Sequence, residues 1–135
     1  MAIDEQGDAY KPLATISGTM TAAGVVDTRA SGFVSGNPTT IASVGLFLRT
    51  GKGRMTLGGA TFTATTKVRL QFRDDIDDTT SGWLPIVNPV TNLTYFTEAG
   101  AYPFDFKSKV FVRIAVLNGE FTGGDSVLGR VEGEV

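Results

Sequence analysis

Asp74, Asp75, Asp77 and Asp78 set four carboxylates within five positions, shortly ahead of Trp83, the only tryptophan in the chain. Three kinds of chemistry use such a group. Paired carboxylates hydrolyse glycosides when they flank a bond at roughly 5 to 9.5 Å. An oxygen-rich loop binds a hard cation such as calcium. A cluster of like charges also marks a solvated turn, where water screens the repulsion.

The first two chemistries make demands that this stretch does not meet. Carboxylates that are neighbours on one loop lack the rigid, opposed elements that hold a glycosidase pair apart. Asp75, Asp77 and Thr79 alternate as calcium ligands do. Counted from Asp75 as a helix–loop–helix calcium site, however, position six is Thr80 instead of glycine. Position twelve is Ile86, where a bidentate glutamate belongs. These three residues are the weak calcium candidates, and the reading preferred over them is the polar tip of a β-hairpin. Histidine and cysteine are absent, which removes the Ser–His and Cys–His nucleophile systems and the common zinc ligand sets. Gly45–Gly53 has a phosphate-loop flavour, but five residues separate Gly45 from Gly51 where four are needed. Gly53 also stands where the loop needs a hydroxyl. No catalytic residue, metal or cofactor is therefore assigned, and the expectation is a protein that is not an enzyme.

The elements that must position these residues read as strands. Val68, Leu70 and Phe72 alternate with Arg69, Gln71 and Arg73, the pattern of a strand with one wet face. Val44, Leu46 and Leu48 alternate with Gly45, Phe47 and Arg49. Val110–Leu117 is apolar almost throughout and suits a central strand covered on both faces. Weaker candidates are Ala14–Met20, Ala30–Val34, Ala60–Thr65, Trp83–Val87, Leu93–Thr97, Tyr102–Phe106 and Ser126–Val131. Gly36-Asn37-Pro38, Gly51-Lys52-Gly53, Gly58-Gly59, Asn118-Gly119 and Gly123-Gly124-Asp125 read as turns between them. Apolar residues nowhere recur at helical spacing for three turns. The expectation is a single all-β antiparallel sandwich, jelly-roll-like, of eight to ten strands over residues 13–135. Residues 1–12 precede it as a flexible polar arm. At strand spacing, Tyr95, Phe96, Tyr102, Phe104 and Phe106 are expected in the core, with sugar stacking as the other reading. Trp83 has the same two readings, core or interface filling against a sugar platform.

Composition narrows the partners. The 135 residues carry a formal charge of −2 and no run of Lys and Arg, so the electrostatic term that drives phosphate-backbone binding is missing. Nucleic acid is not expected as a partner. No apolar run approaches the ~18 residues of a membrane span, and the first residues lack the basic-then-apolar order of a signal peptide. Synthesis in a cytosol is expected, with no membrane partner.

Two longer stretches, Lys67–Ile86 (KVRLQFRDD…SGWLPI) and Gly100–Val116 (GAYPFDFKSKVFVRIAV), carry a resemblance. Val68, Leu70 and Gln71 form a V-x-L-Q strand, and an acidic tip leads to the return of Trp83 and Ile86. Gly100 and Tyr102 make a G-x-Y turn, and Val112, Arg113 and Ile114 a V-R-I strand. The pattern covers about half the chain and resembles small β-sandwich structural proteins of tailed bacteriophages, including capsid decoration (cement) proteins and head-fibre modules. The resemblance implies a virion protein on the capsid surface, made in the bacterial cytoplasm. It implies binding to the lattice of the major capsid protein as a homo-oligomer, with a trimer favoured. Ile3, Asp4, Tyr10 and Lys11 in the arm and Trp83 on the body are the expected partner contacts. The alternating Val131-Glu132-Gly133-Glu134-Val135 is expected to close a sheet edge or add to a neighbour's. The competing class is a carbohydrate- or receptor-binding module of a phage fibre or tail, for which Trp83 would be the platform.

Overall fold

The computed structural model describes residues 13–27, 32–63, 65–73 and 82–134. Ten strands follow in chain order, with no helix among the described residues: β1 (Leu13–Met20), β2 (Gly24–Val26), β3 (Phe33–Ser35), β4 (Leu46–Leu48), β5 (Lys52–Thr61), β6 (Arg69–Arg73), β7 (Leu84–Pro85), β8 (Gly100–Asp105), β9 (Val110–Val116) and β10 (Ser126–Glu134). One sheet has the order β1-β10-β5-β8. The other runs β3-β2-β9-β6-β7, and β4 also pairs with β9, beyond the stretch that β2 occupies. Every ladder is antiparallel.

The pairs are nested. β1 pairs with β10, β2 and β4 with β9, β5 with β8, and β6 with β7. Such a chain is one long antiparallel hairpin, rolled so that successive pairs alternate between two sheets. That is a jelly roll, as the strand pattern predicts. The innermost pair is β6–β7, with Gln71 opposite Pro85 and Phe72 opposite Leu84. The acid-rich segment between them lies outside the described residues, but the strands that flank it pair as the hairpin reading requires.

Both sheets turn alternate residues inward. Leu46, Leu48, Leu70, Val110, Val112, Ile114 and Val116 from one sheet meet Ile16, Met20, Met55, Leu57, Phe104, Val127 and Val131 from the other. The inner face of β10 alternates Val127, Gly129, Val131 and Gly133. Its glycines make room for the longer side chains opposite, because a Cβ on Gly129 would lie 2.9 Å from the Ile114 Cδ1. One on Gly133 would lie 2.8 Å from a Leu48 methyl. Each fully buried Val, Leu or Ile contributes about 1.5–3 kcal/mol through removal from water, and this two-sided packing holds the sandwich together.

Several expectations need correcting. Lys52-Gly53 and Gly58-Gly59 lie inside the ten-residue β5 instead of at turns, with a register shift opposite Ser126 and Leu128 near the second pair. Of Ala60–Thr65, Ala60 and Thr61 end β5 and the other described residues are not in a strand. Leu93–Thr97 is not a strand, although Phe96 makes an isolated bridge to Val68. Gly100 and Tyr102 belong to β8 instead of a turn. The C-terminal alternation does not close an edge, because β10 lies inside its sheet between β1 and β5, and β1 takes the edge. Val110–Val116 is central and covered on both faces, as expected.

Candidate functional site

Ile3, Asp4, Tyr10 and Lys11 lie outside the described residues, and so do Asp75, Asp77 and Thr79. Trp83 is described, and it organises the outer face of the β9 sheet. Arg113 on β9 stands opposite Gln71 on β6, with Arg73 and Arg69 one step to either side on the same face. The alternation in β6 predicts its Arg69-Gln71-Arg73 side to be wet. Instead Gln71, Arg73 and Arg113 are buried, Arg113 to 1% exposure. The cover is the segment between β3 and β4, together with the indole of Trp83.

Arg113 holds that cover down. Its Nε donates to Gln71 Oε1 at 2.8 Å, and its Nη1 to Ser43 Oγ at 2.6 Å and to the Ile41 carbonyl at 3.4 Å. Its Nη2 donates to the Pro38 carbonyl at 3.2 Å. A guanidinium suits this role because its donors sit in a fixed planar fork and it stays charged at any ordinary pH. The centre of the Trp83 ring lies 4.5 Å from the Arg113 guanidinium carbon and 5.6 Å from that of Arg73. The far edge of the indole passes over Gly45, where a Cβ would come within 2.6 Å of Cη2. Trp83 is thus half-buried on a sheet face. It belongs neither to the core nor to a row of stacked aromatics. Beside it a cleft of about 220 Å³ is lined by Pro38, Thr39, Gln71, Gly82, Trp83, Arg113 and Leu117.

The other aromatics divide. Phe96 and Phe104 are in the core, and Tyr102 and Phe106 pack against it, as the strand spacing predicts. Phe96 and Tyr102 have ring centres 4.5 Å apart. Burial, with Glu98 adding to it, raises the Tyr102 phenol above its ordinary value. Tyr95 stands apart, half-buried beneath Lys67 and Arg69 at 5.1 and 5.6 Å.

Polar latches fasten the loops at one end of the sandwich. Asp125, buried after β9, accepts hydrogen bonds from the Thr66 hydroxyl and from the Thr63 hydroxyl at 2.9 Å. The Thr66 contact comes first, ahead of the Thr63 bonds, among the causes that hold the Asp125 carboxyl below its usual range. Arg69 meets Glu120 through two parallel bonds at 3.1 and 2.9 Å and also reaches the Thr94 hydroxyl at 2.9 Å. Together these contacts tie the β5–β6, β7–β8 and β9–β10 connections to one another. Each acid is satisfied by hydroxyls or a guanidinium, as in a structural contact. Among the described residues no group of three His, Cys, Asp or Glu side chains is placed to hold a metal.

The outer face of the β1 sheet is the broad exposed surface. Its rows run Leu13, Glu134, Lys52 and Asp105; then Thr15, Glu132, Arg54 and Pro103; then Ser17, Arg130, Thr56 and Ala101. Arg54 bonds Glu132 at 2.7 Å, and Arg130 lies 3.8 Å from the same carboxylate. The Arg54 bond, assisted by the Arg130 charge, lowers the Glu132 carboxyl below its ordinary value. Lys52, Arg54 and Arg130 offset Glu132, Glu134 and Asp105, which makes this face polar with its charges compensated, and Leu13 and Leu128 are its exposed apolar side chains. No family model matches the chain, and neither does any curated protein or solved structure.

The hydrogen-bond network of Arg113 is the feature of this site least visible in the sequence. Its signal was a lone arginine in the apolar run VFVRIAV, which a central strand tolerates only when the charge is paired or hydrogen-bonded.

Proposed function

We propose that the chain is a non-enzymatic structural protein of a tailed-bacteriophage virion that binds and stabilises the outside of the capsid as a homo-oligomer, with a trimer favoured. The observation that carries this reading is the way the ends of the jelly roll are arranged. β1 is an edge strand, and its first residue, Leu13, lies opposite Glu134 beside the polar face. Residues 1–12 therefore join the body at one margin of a rigid plate, where an arm and a plate face can engage neighbouring shell subunits together. Several linked copies meeting a repeating lattice convert weak contacts into strong attachment by raising the effective concentration of each. The phage-like strand pattern of residues 67–86 and 100–116 supports the same reading, as does a body held rigid by buried latches at its loops.

The cleft beside Trp83 favours a second reading, a carbohydrate- or receptor-binding module. Its polar lining of Gln71, Arg113 and Thr39 suits hydroxyl groups. Two features weigh against it. The volume of about 220 Å³ is smaller than the roughly 300–1,000 Å³ usual for ligand pockets. The indole also already packs on guanidinium groups.

Heating capsids assembled without the chain, in its presence and absence, tests the stabilising role. The expected result is a higher temperature of shell rupture at saturating protein. An unchanged rupture temperature would refute stabilisation.

A further inference from the structure

A second cleft opens at the corner where β6 and β7 approach the turn between β8 and β9. It measures about 210 Å³ and is lined by Phe72, Arg73, Gly82, Leu84, Phe106, Ser108, Lys109 and Val110. Its apolar wall is made by Phe72 and Phe106, whose ring centres are 4.8 Å apart, with Leu84, 56% exposed, beside them. Lys109 is an exposed cation on the rim, and Lys107, exposed two residues away, lies 3.7 Å from Asp105. An apolar pocket below the usual size for a small-molecule site suits one anchoring side chain of a protein partner. A cationic rim favours an anchor flanked by carboxylates.

We propose that this cleft receives the N-terminal segment of a second copy of the chain, with Ile3 as the anchor and Asp4 and Glu5 toward Lys109 on the rim. Three observations support that occupant. The sequence Ala2-Ile3-Asp4-Glu5 has the required order of an apolar residue followed by two acids. Leu13, from which the segment departs, lies at the same end of the sandwich as the cleft. There Leu13 pairs with Glu134 and Lys52 with Asp105, and Arg73 faces Phe111. Twelve extended residues reach roughly 40 Å, enough to span the body and enter a neighbour. Burying one aliphatic anchor contributes about 1.5–3 kcal/mol, so a single exchange is weak and a closed ring of exchanges is needed for a stable oligomer. This inference concerns the protein free in solution and does not rest on the capsid reading.

The test uses two full-length variants. Ile3→Asp spoils the anchor and leaves the cleft intact, whereas Leu84→Asp spoils the cleft and leaves the anchor. Leu84 is exposed, so the second change should leave the circular dichroism spectrum and melting curve near those of the parent, and Leu84→Lys serves if it does not. Sedimentation velocity on the parent should show association that rises with concentration, and each variant alone should lose most of it. An equimolar mixture should recover weak one-to-one pairing of unlike copies at high concentration but no closed ring, because only the intact anchor of Leu84→Asp can enter the intact cleft of Ile3→Asp. A parent that stays monomeric up to millimolar concentration would overturn the proposal. So would association that is indifferent to Ile3→Asp. If the cleft is filled from within its own chain, by the segment bearing Ile76 among four aspartates or by the N-terminal segment itself, mixing restores nothing and the exchange is refuted.

Discussion

The guanidinium of Arg113 lies 4.5 Å from the centre of the Trp83 ring while donating to Gln71, Ser43, Ile41 and Pro38. One buried cation therefore joins the β6–β7 hairpin, through Trp83, to the segment that precedes β4. That link makes the outer face of the β9 sheet a second small core built from polar groups. Such networks are costly when broken, because each deserted acceptor stays buried without its donor.

Replacing Arg113 with Met keeps the apolar stem and removes every donor. The expected loss is about 3 kcal/mol or more, read from urea unfolding monitored by Trp83 fluorescence. Arg113→Lys should recover only part of the loss, since a point charge cannot reproduce the planar fork. Equal stability of Arg113→Met and the parent would mean that the cover is held by something else.

Gly45 has φ +83°, and a Cβ there would meet the Trp83 ring at 2.6 Å and the Val112 carbonyl at 2.8 Å. Gly45→Ala should cost about 1–3 kcal/mol and shift Trp83 emission to the red as the indole lifts from its seat. Gly119, with φ +87° and open space around it, is the control. Gly119→Ala should cost only the backbone penalty of about 1 kcal/mol and leave the emission unchanged. Matching spectra for the two variants would count against the packed position of the indole.

Asp125 has a carboxyl held below its ordinary value of 3.8, first by the Thr66 hydroxyl and then by Thr63. A group whose folded value is depressed contributes stability that is complete above its unfolded value and is lost as pH falls through the folded one. Melting temperature should therefore drop as pH falls below about 4, and Asp125→Asn should flatten that part of the curve while lowering stability at neutral pH. Glu132, lowered by Arg54, acts in the same direction, so the flattening is partial. A parent-like acid slope in Asp125→Asn would exclude this carboxylate as a source of it.

Much of the fold was legible because hydrophobic alternation reports directly which face of a strand is buried. Val112, Ile114 and Val116 announced a central strand, and the pairing of β6 with β7 followed from an acidic tip between apolar runs. What stayed hidden depended on contacts distant in sequence. Gly53, Gly58 and Gly59 read as turn residues because glycine permits turns. In β5 Gly53 is instead needed where Phe104 and the Glu132 carbonyl approach, and Gly59 where the Ser126 carbonyl does. Arg69, Gln71 and Arg73 read as a solvent face, since nothing local reveals that the segment after β3 and Trp83 fold over two of them. Burial of polar residues is a tertiary fact, and Arg113, in sequence only the middle of a V-R-I strand, acquires its four acceptors from segments distant in the chain. The β10 alternation misled for the same reason, because a charged outer row suits an interior strand as well as an edge.

The most direct measurement of the proposed function is co-sedimentation with mature tailed-phage capsids assembled without this chain, from the phage that the proposal requires to encode it. Full-length protein should pellet with the shells at micromolar concentration and saturate at a fixed number of copies per shell subunit. Protein lacking residues 2–11 should keep its melting temperature within a few degrees but pellet far less. Full-length protein that remains in the supernatant while it binds a host glycan would contradict the decoration reading and put the receptor-binding one in its place.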